Sequence, residues 1–256
     1  MIRQLFERQR PLMIAGVVSF VCFAVLTIVS LFDSTEILGI NRWIKPLKFF
    51  ISIAIFTWTT AVYMYFLKGF EKAASRISWG MIAIFVIEMI VITGQAARGT
   101  TSHFNIKTPL DGMLFSIMGI AIMLNTLLAA YLLYLYFKAK IDLPASIVWG
   151  MRLGLILFLA SSFEGAYMSS QLGHTVGAAD GGAGLPVVNW SKTNGDLRIA
   201  HFVGMHAYQA APLFAWALEK YNIKSSLFHT FVFAAAYFAF FTFVFVQALL
   251  GKPFFQ

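Results

Sequence analysis

Seven stretches of this chain stay apolar for long enough to cross a hydrocarbon layer roughly 30 Å thick, at about 11–32, 47–67, 77–98, 111–137, 146–174, 197–219 and 226–250. In lipid every backbone N–H and C=O must find its partner within a helix or a closed barrel. These runs are far longer than the roughly 10-residue alternating strands of a membrane barrel, so all seven read as helices. With 59% hydrophobic and 12% charged residues, the chain has too little polar surface for a water-soluble domain of 256 residues. The expected fold class is all-α: a polytopic membrane protein, a seven-transmembrane helix bundle forming one domain over 1–256.

The amino end, MIRQLFERQR followed by 22 uncharged residues, has the charge pattern of a signal sequence. Its apolar run exceeds the roughly 7–15 residues of an h-region and no small-x-small cleavage site follows, so it reads as a retained helix. The single cysteine, Cys22, falls within that helix, which excludes an intrachain disulfide. Seven helices put the termini on opposite sides. The side of the amino terminus holds Arg3, Arg8, Arg10, Lys68, Lys72, Arg76, Lys138, Lys140, Arg152, Lys220 and Lys224, eleven of the nineteen lysines and arginines. The positive-inside rule then places the amino terminus inside and the carboxyl terminus outside, and a prokaryotic cytoplasmic membrane is the expected location. The net charge of +8 lies mainly in connections beside the membrane. It points to the lipid bilayer as partner and not to nucleic acid. Self-association into a homo-oligomer is left open.

A longer-range pattern divides the bundle into helix pairs, first with second, third with fourth and fifth with sixth, plus a seventh helix. Trp-Gly-Met opens the third and fifth helices, at 79–81 and 149–151. Each then carries Glu-x6-Gln-x2-basic: Glu88, Gln95 and Arg98 in one, Glu164, Gln171 and His174 in the other, at a constant offset of 76. The connections that follow end alike, KTPLDGMLFSIMG at 107–119 against KTNGDLRIAHFVG at 192–204, aligning Asp111 with Asp196. Asn125 lies fourteen residues beyond Asp111, and Gln209 thirteen beyond Asp196. The first pair has a weaker echo in IKPLKFF at 44–50, where Lys48 stands in the aspartate's place.

Spacing of i, i+7 and i+10 puts each Glu, Gln and basic residue in one stripe down a helix face. Ionisable groups facing lipid cost at least about 2.5 kcal/mol each, so the stripes are expected to face inward. Counting depth from the outer helix ends brings Glu88, Glu164 and His206 to one level, ten residues below Arg98, His174 and Asp196. Asn125 and Gln209 lie about a turn deeper. The expectation is a funnel open outward. Its outer layer comprises Lys48, Gln95, Arg98, Asp111, Gln171, His174, Asp196 and Arg198, and its deep layer Glu88, Glu164 and His206, floored by the two amides. Asp111 and Asp196 begin helices, where capping is the favoured role. His201 lies about 140° round the helix from His206, so the two are not expected to serve one site.

Seven helices in about 250 residues resemble the architecture of the microbial rhodopsins. A retinal pigment needs a Schiff-base lysine in its last helix, and SLFHTFVFAAAYFAFFTFVFVQALL at 226–250 has none, so covalent retinal is not expected. Bis-histidine haem is not expected either, because His206 has no second histidine at its depth on a facing helix. Zinc-dependent seven-helix hydrolases are similar in helix count, but their paired His-x3-His in the last helix is missing. The cofactor is left unknown. The reading favoured is binding of a small polar or amphipathic ligand or ion, coupled to protons, for sensing or transport. The alternatives are a metal-dependent membrane enzyme using Glu88, Glu164 and His206, and a scaffold whose polar core only sets helix register.

Overall fold

The computed structural model describes residues 2–182 and 184–255, and among them the architecture is helical. Eight helices follow in order: α1 Ile2–Arg8, α2 Arg10–Leu31, α3 Ile44–Phe66, α4 Glu71–Ala97, α5 Pro109–Lys138, α6 Ala145–Ser170, α7 Leu197–Lys220 and α8 Ser226–Leu249. Two short antiparallel pairs join them, β1 (Glu36–Ile37) with β2 (Ile40–Asn41) and β3 (Thr175–Val176) with β4 (Gly195–Asp196). Six helices, α2 to α6 and α8, are long and apolar enough to cross a membrane. The 24-residue α7 has the length but falls short in hydropathy. It carries Arg198, His201, His206, Gln209, Glu219 and Lys220.

Helix limits differ from the apolar runs where propensity and hydropathy diverge. EKAASRIS is too polar for a hydrocarbon core, but Glu, Lys, Ala and Arg are good helix formers, and α4 begins at Glu71, not near 77. The α3 helix starts at Ile44 because Pro46 falls in its first turn, where a missing N–H costs nothing. The α6 helix ends at Ser170, and Leu172 turns the chain with a φ of 53°, so His174 lies beyond the helix.

The chain forms two compact units, Met1–Leu128 and Ala129–Gln256, with the boundary inside α5. In the first unit α2, α3 and α4 run alternately up and down. Its core gathers Ile53, Met89, Val91, Ile92 and Met118 under Phe49, Phe85 and Phe115. At one end of this unit Arg42, next to the β1–β2 hairpin, donates to the last carbonyl of α4, Ala97 O, at 3.1 Å.

The second unit is built on the approach of α6 to α7. Gly150 and Gly154, four apart on α6, face the fully buried Ala207, Ala211 and Ala215 on α7. A Cβ at Gly154 would lie 2.7 Å from Ala207 O, and one at Gly150 would lie 2.9 Å from Ala211 O. Small residues at this spacing let two backbones pack directly, which is how helices associate where lipid removes the hydrophobic drive. The α8 helix closes the unit, placing Phe241 and Val244 against Ile199 and Ala200.

Candidate functional site

In the first unit the end of α4 meets the start of α5. Asp111, 4% exposed, accepts from Gln95 Nε2 at 2.8 Å and from Arg98 at 2.9 Å. Thr108, just ahead of α5, donates to the other Asp111 oxygen at 2.7 Å and accepts from the Asp111 N–H at 3.1 Å, a reciprocal capping arrangement. Arg98 also donates to Gln95 Oε1. These side chains bond one another in a knot from which the Arg98 side chain remains 46% exposed. Beside them His103 contacts Ser102 Oγ at 3.1 Å and packs against Phe49.

Seven residues further into α4, Glu88 is 1% exposed, and among the described residues neither of its carboxylate oxygens has a hydrogen-bond partner. The opposite charge acting on it is the Lys45 ammonium of α3. Asn125 on α5 is 4% exposed, and its Oδ1 also lacks a partner. Such atoms are rare in folded proteins, because an unpaired buried polar group forfeits about 1–3 kcal/mol. Lys48 lies half-buried in the second turn of α3.

In the second unit Asp196 is the N-cap of α7, accepting from the Arg198 N–H. Its side chain is fully buried and takes the Arg198 guanidinium at 2.6 and 2.9 Å and the Ser191 N–H at 2.8 Å. Burial pushes this carboxyl up, but the Arg198 hydrogen bonds and charge outweigh it, and its pKa is lowered. His174 lies 4.0 Å from Asp196 and 3.1 Å from Asp180. Arg98 thus bonds Asp111 in the first turn of α5, whereas His174 pairs with Asp180 and stands 4.0 Å from Asp196, the N-cap of α7. The amides part company: Gln95 is buried on Asp111, whereas Gln171 is exposed at the end of α6.

Deeper in the second unit, Glu164 is paired with a histidine other than the expected one. Its Oε2 lies 2.9 Å from His201 Nδ1, which also faces Ser161 O at 3.1 Å. The Ser161 carbonyl can only accept, so a hydrogen bond to it is donated by Nδ1, whereas the contact with the carboxyl is made with the proton on either partner. Glu164 Oε1 is buried without a partner. His206 turns back on its own helix, bonding Phe202 O at 2.7 Å with its ring centroid 4.0 Å from that of Phe202. Gln209 is half-buried on α7. The depth count selected His206 because it measured height along α7. Side-chain direction follows from how α7 is rotated against α6, where Gly165 leaves room for the imidazole: a Cβ there would lie 2.7 Å from His201 Cε1.

One further node had escaped the sequence reading. Asp33 accepts from Thr35 N at 3.0 Å, Arg42 Nε at 2.7 Å and Trp43 Nε1 at 2.8 Å, and the Thr35 bond foremost lowers its pKa. Asp followed by Ser-Thr was the available signal, since such residues turn back on the chain two positions later. Among the described residues no group of three or more His, Cys, Asp or Glu side chains is placed to hold a metal ion, so the metal-dependent reading gains no support.

No protein family, curated protein or solved structure matches the chain. The fold and the intramembrane polar groups define a class on their own terms. This is a helical integral membrane protein with carboxylates buried inside its apolar helices.

Proposed function

We propose that the protein binds protons together with a small polar or amphipathic ligand at its intramembrane carboxylates, in proton-coupled sensing or transport. The observation that carries this reading is Glu88, buried in a 27-residue apolar helix with both oxygens lacking a donor. A polar residue kept only to lock helices together would be bonded to a neighbouring helix. A carboxyl without a donor is a place to which one comes, as a proton, a cation or the N–H or O–H of a ligand. The Glu164–His201 contact is the corresponding proton-handling group of the second unit, and the expected access for ligand is from the side opposite the amino terminus.

The test is a thermal-shift screen of the purified protein against amino acids, polyamines, quaternary amines and small carboxylates at several pH values. The reading expects a stabilising compound whose effect depends on pH and disappears in Glu88→Gln, while the unliganded variant melts near the parent. A variant that loses stability without any change in ligand response would return Glu88 to a structural role. The orientation is tested separately, by labelling single engineered cysteines in intact cells with an impermeant reagent. Reaction at position 72 but not in the 177–190 loop would reverse it.

A further inference from the structure

At the end of the first unit away from the hairpin, a cavity of about 590 Å³ opens between the start of α2, the end of α3 and the start of α4. Its chemistry is split. One wall is apolar and aromatic, formed by Met64, Leu67, Tyr65 and Trp79, and the mouth carries the cations Arg8 and Lys68. The Arg8 guanidinium lies over the Tyr65 ring at 5.2 Å, and Tyr65 is tied in turn to Gln4 of α1 at 3.1 Å, which fixes the cation at the rim. The one acidic lining residue, Glu71, is engaged by the Gly69 N–H at 2.8 Å. Neither Gln9 ahead of α2 nor Phe70 ahead of α4 caps its helix with a side chain, and Glu71 lies in the first turn of α4. Arg10, Lys72 and Arg76 stand in the first turns of these two helices or the next.

We propose that this cavity is a binding site for an anionic phospholipid, with the phosphate held by Arg8 and Lys68 and the acyl-chain root lying along Tyr65 and Trp79. Trp79 is 58% exposed, which suits a ring at the boundary between headgroups and hydrocarbon. A cavity that is basic at the mouth and apolar in the wall complements an anionic amphiphile. It matches an anionic amphiphile better than a neutral lipid, which brings no net negative charge to the basic mouth, or a free anion, which leaves the apolar wall wet.

The full chain, purified in a neutral detergent, is titrated with phosphatidylglycerol, phosphatidylcholine or inorganic phosphate, and bound lipid is counted by native mass spectrometry. The expected result is selective retention of phosphatidylglycerol, weakened roughly thirtyfold in the Arg8→Ala/Lys68→Ala variant. The Lys107→Ala/Lys192→Ala variant, which removes the same charge from exposed positions outside the cavity, should bind as the parent does. Arg8 and Lys68 are themselves exposed, so their removal leaves the melting temperature near that of the parent. Equal retention of phosphatidylcholine, binding of inorganic phosphate that displaces the lipid at millimolar concentration, or the same loss in both double variants would overturn the proposal.

Discussion

Glu88 and Glu164 stand seven residues ahead of a glutamine in apolar helices of the two units, yet one has no hydrogen-bond partner and the other is met by His201. The residue after each glutamate explains much of the contrast. Gly165 leaves the surface of α6 open, so the His201 ring reaches Glu164 from α7, whereas Met89 follows Glu88 and is buried in the core of the first unit. Identical spacing along a helix therefore fixes where a carboxylate is, and the neighbouring helix decides what meets it. The aspartates differ in a parallel way: Asp111 is reached from the preceding helix by Gln95 and Arg98, whereas Asp196 caps its own helix and is gripped by Arg198 two residues on.

The sharpest way to break this comparison is at the aspartates. Asp196→Ala strips Arg198, whose side chain is 25% exposed, of its carboxylate and leaves it the Asn189 carbonyl alone, and it removes the cap of α7. It should cost about 3 kcal/mol, measured by unfolding in a denaturing detergent. Asp111→Ala should cost less, about 2 kcal/mol, since Arg98 is 46% exposed and water can take the place of the carboxylate there, while the buried Gln95 amide loses its partner. Equal losses would show that the two ends are built alike after all. Next in size, Gly165→Met gives α6 the residue that follows Glu88 on α4. It would force the new side chain onto His201 and should cost roughly 1–3 kcal/mol. A variant that kept the parent stability would remove Gly165 as the cause of the contrast.

Much of the fold could be read from the chain, because hydropathy reports burial in lipid directly: the long helices lie on or near the apolar runs. What hydropathy could not report was the helical polar turn 71–76, the short amino-terminal helix α1 or the β1–β2 hairpin, all set by local propensity and turn chemistry. The knot of Gln95, Arg98 and Asp111 was visible as a motif because its members lie close in sequence. His201 was passed over because its partner lies 37 residues away and the choice between two histidines depends on helix rotation. That rotation is fixed by Gly150, Gly154 and the alanines of α7, a small-residue stripe that no polar motif reveals.

The glutamates themselves should respond more weakly to substitution, and unequally. His201→Ala leaves Glu164 with neither oxygen bonded and should destabilise by about 1–2 kcal/mol. Glu88→Gln breaks no bond and should leave stability within about 0.5 kcal/mol of the parent, so that its effect is confined to ligand and proton binding. A large loss from Glu88→Gln would mean that this carboxylate is a strut, and the two units would then differ less than their hydrogen bonds indicate.

The smallest expected effect is on acid stability, and it separates the two units by the shielding of their carboxylates. Asp33 and Asp196 both have pKa values lowered by their donors, so each binds its proton more readily in the unfolded chain than in the folded one. Their contribution is complete above the unfolded value near about 4 and is lost as pH falls through the lower folded values. The Asp196 side chain is fully shielded from solvent and that of Asp33 is 18% exposed, so water screens the Asp33 interactions more. The part of the melting-temperature profile set by these two aspartates, read as the difference between the parent and each Asp→Asn variant, should then be flat from pH 7 down to about pH 4 and fall below it. Asp196→Asn should remove more of that acid-side fall than Asp33→Asn, and each should lower the neutral-pH plateau in proportion. If Asp33→Asn flattened the profile as much as Asp196→Asn, shielding would not be what distinguishes the two ends. The three donors on Asp33 would then matter as much as the buried grip of Arg198 on Asp196.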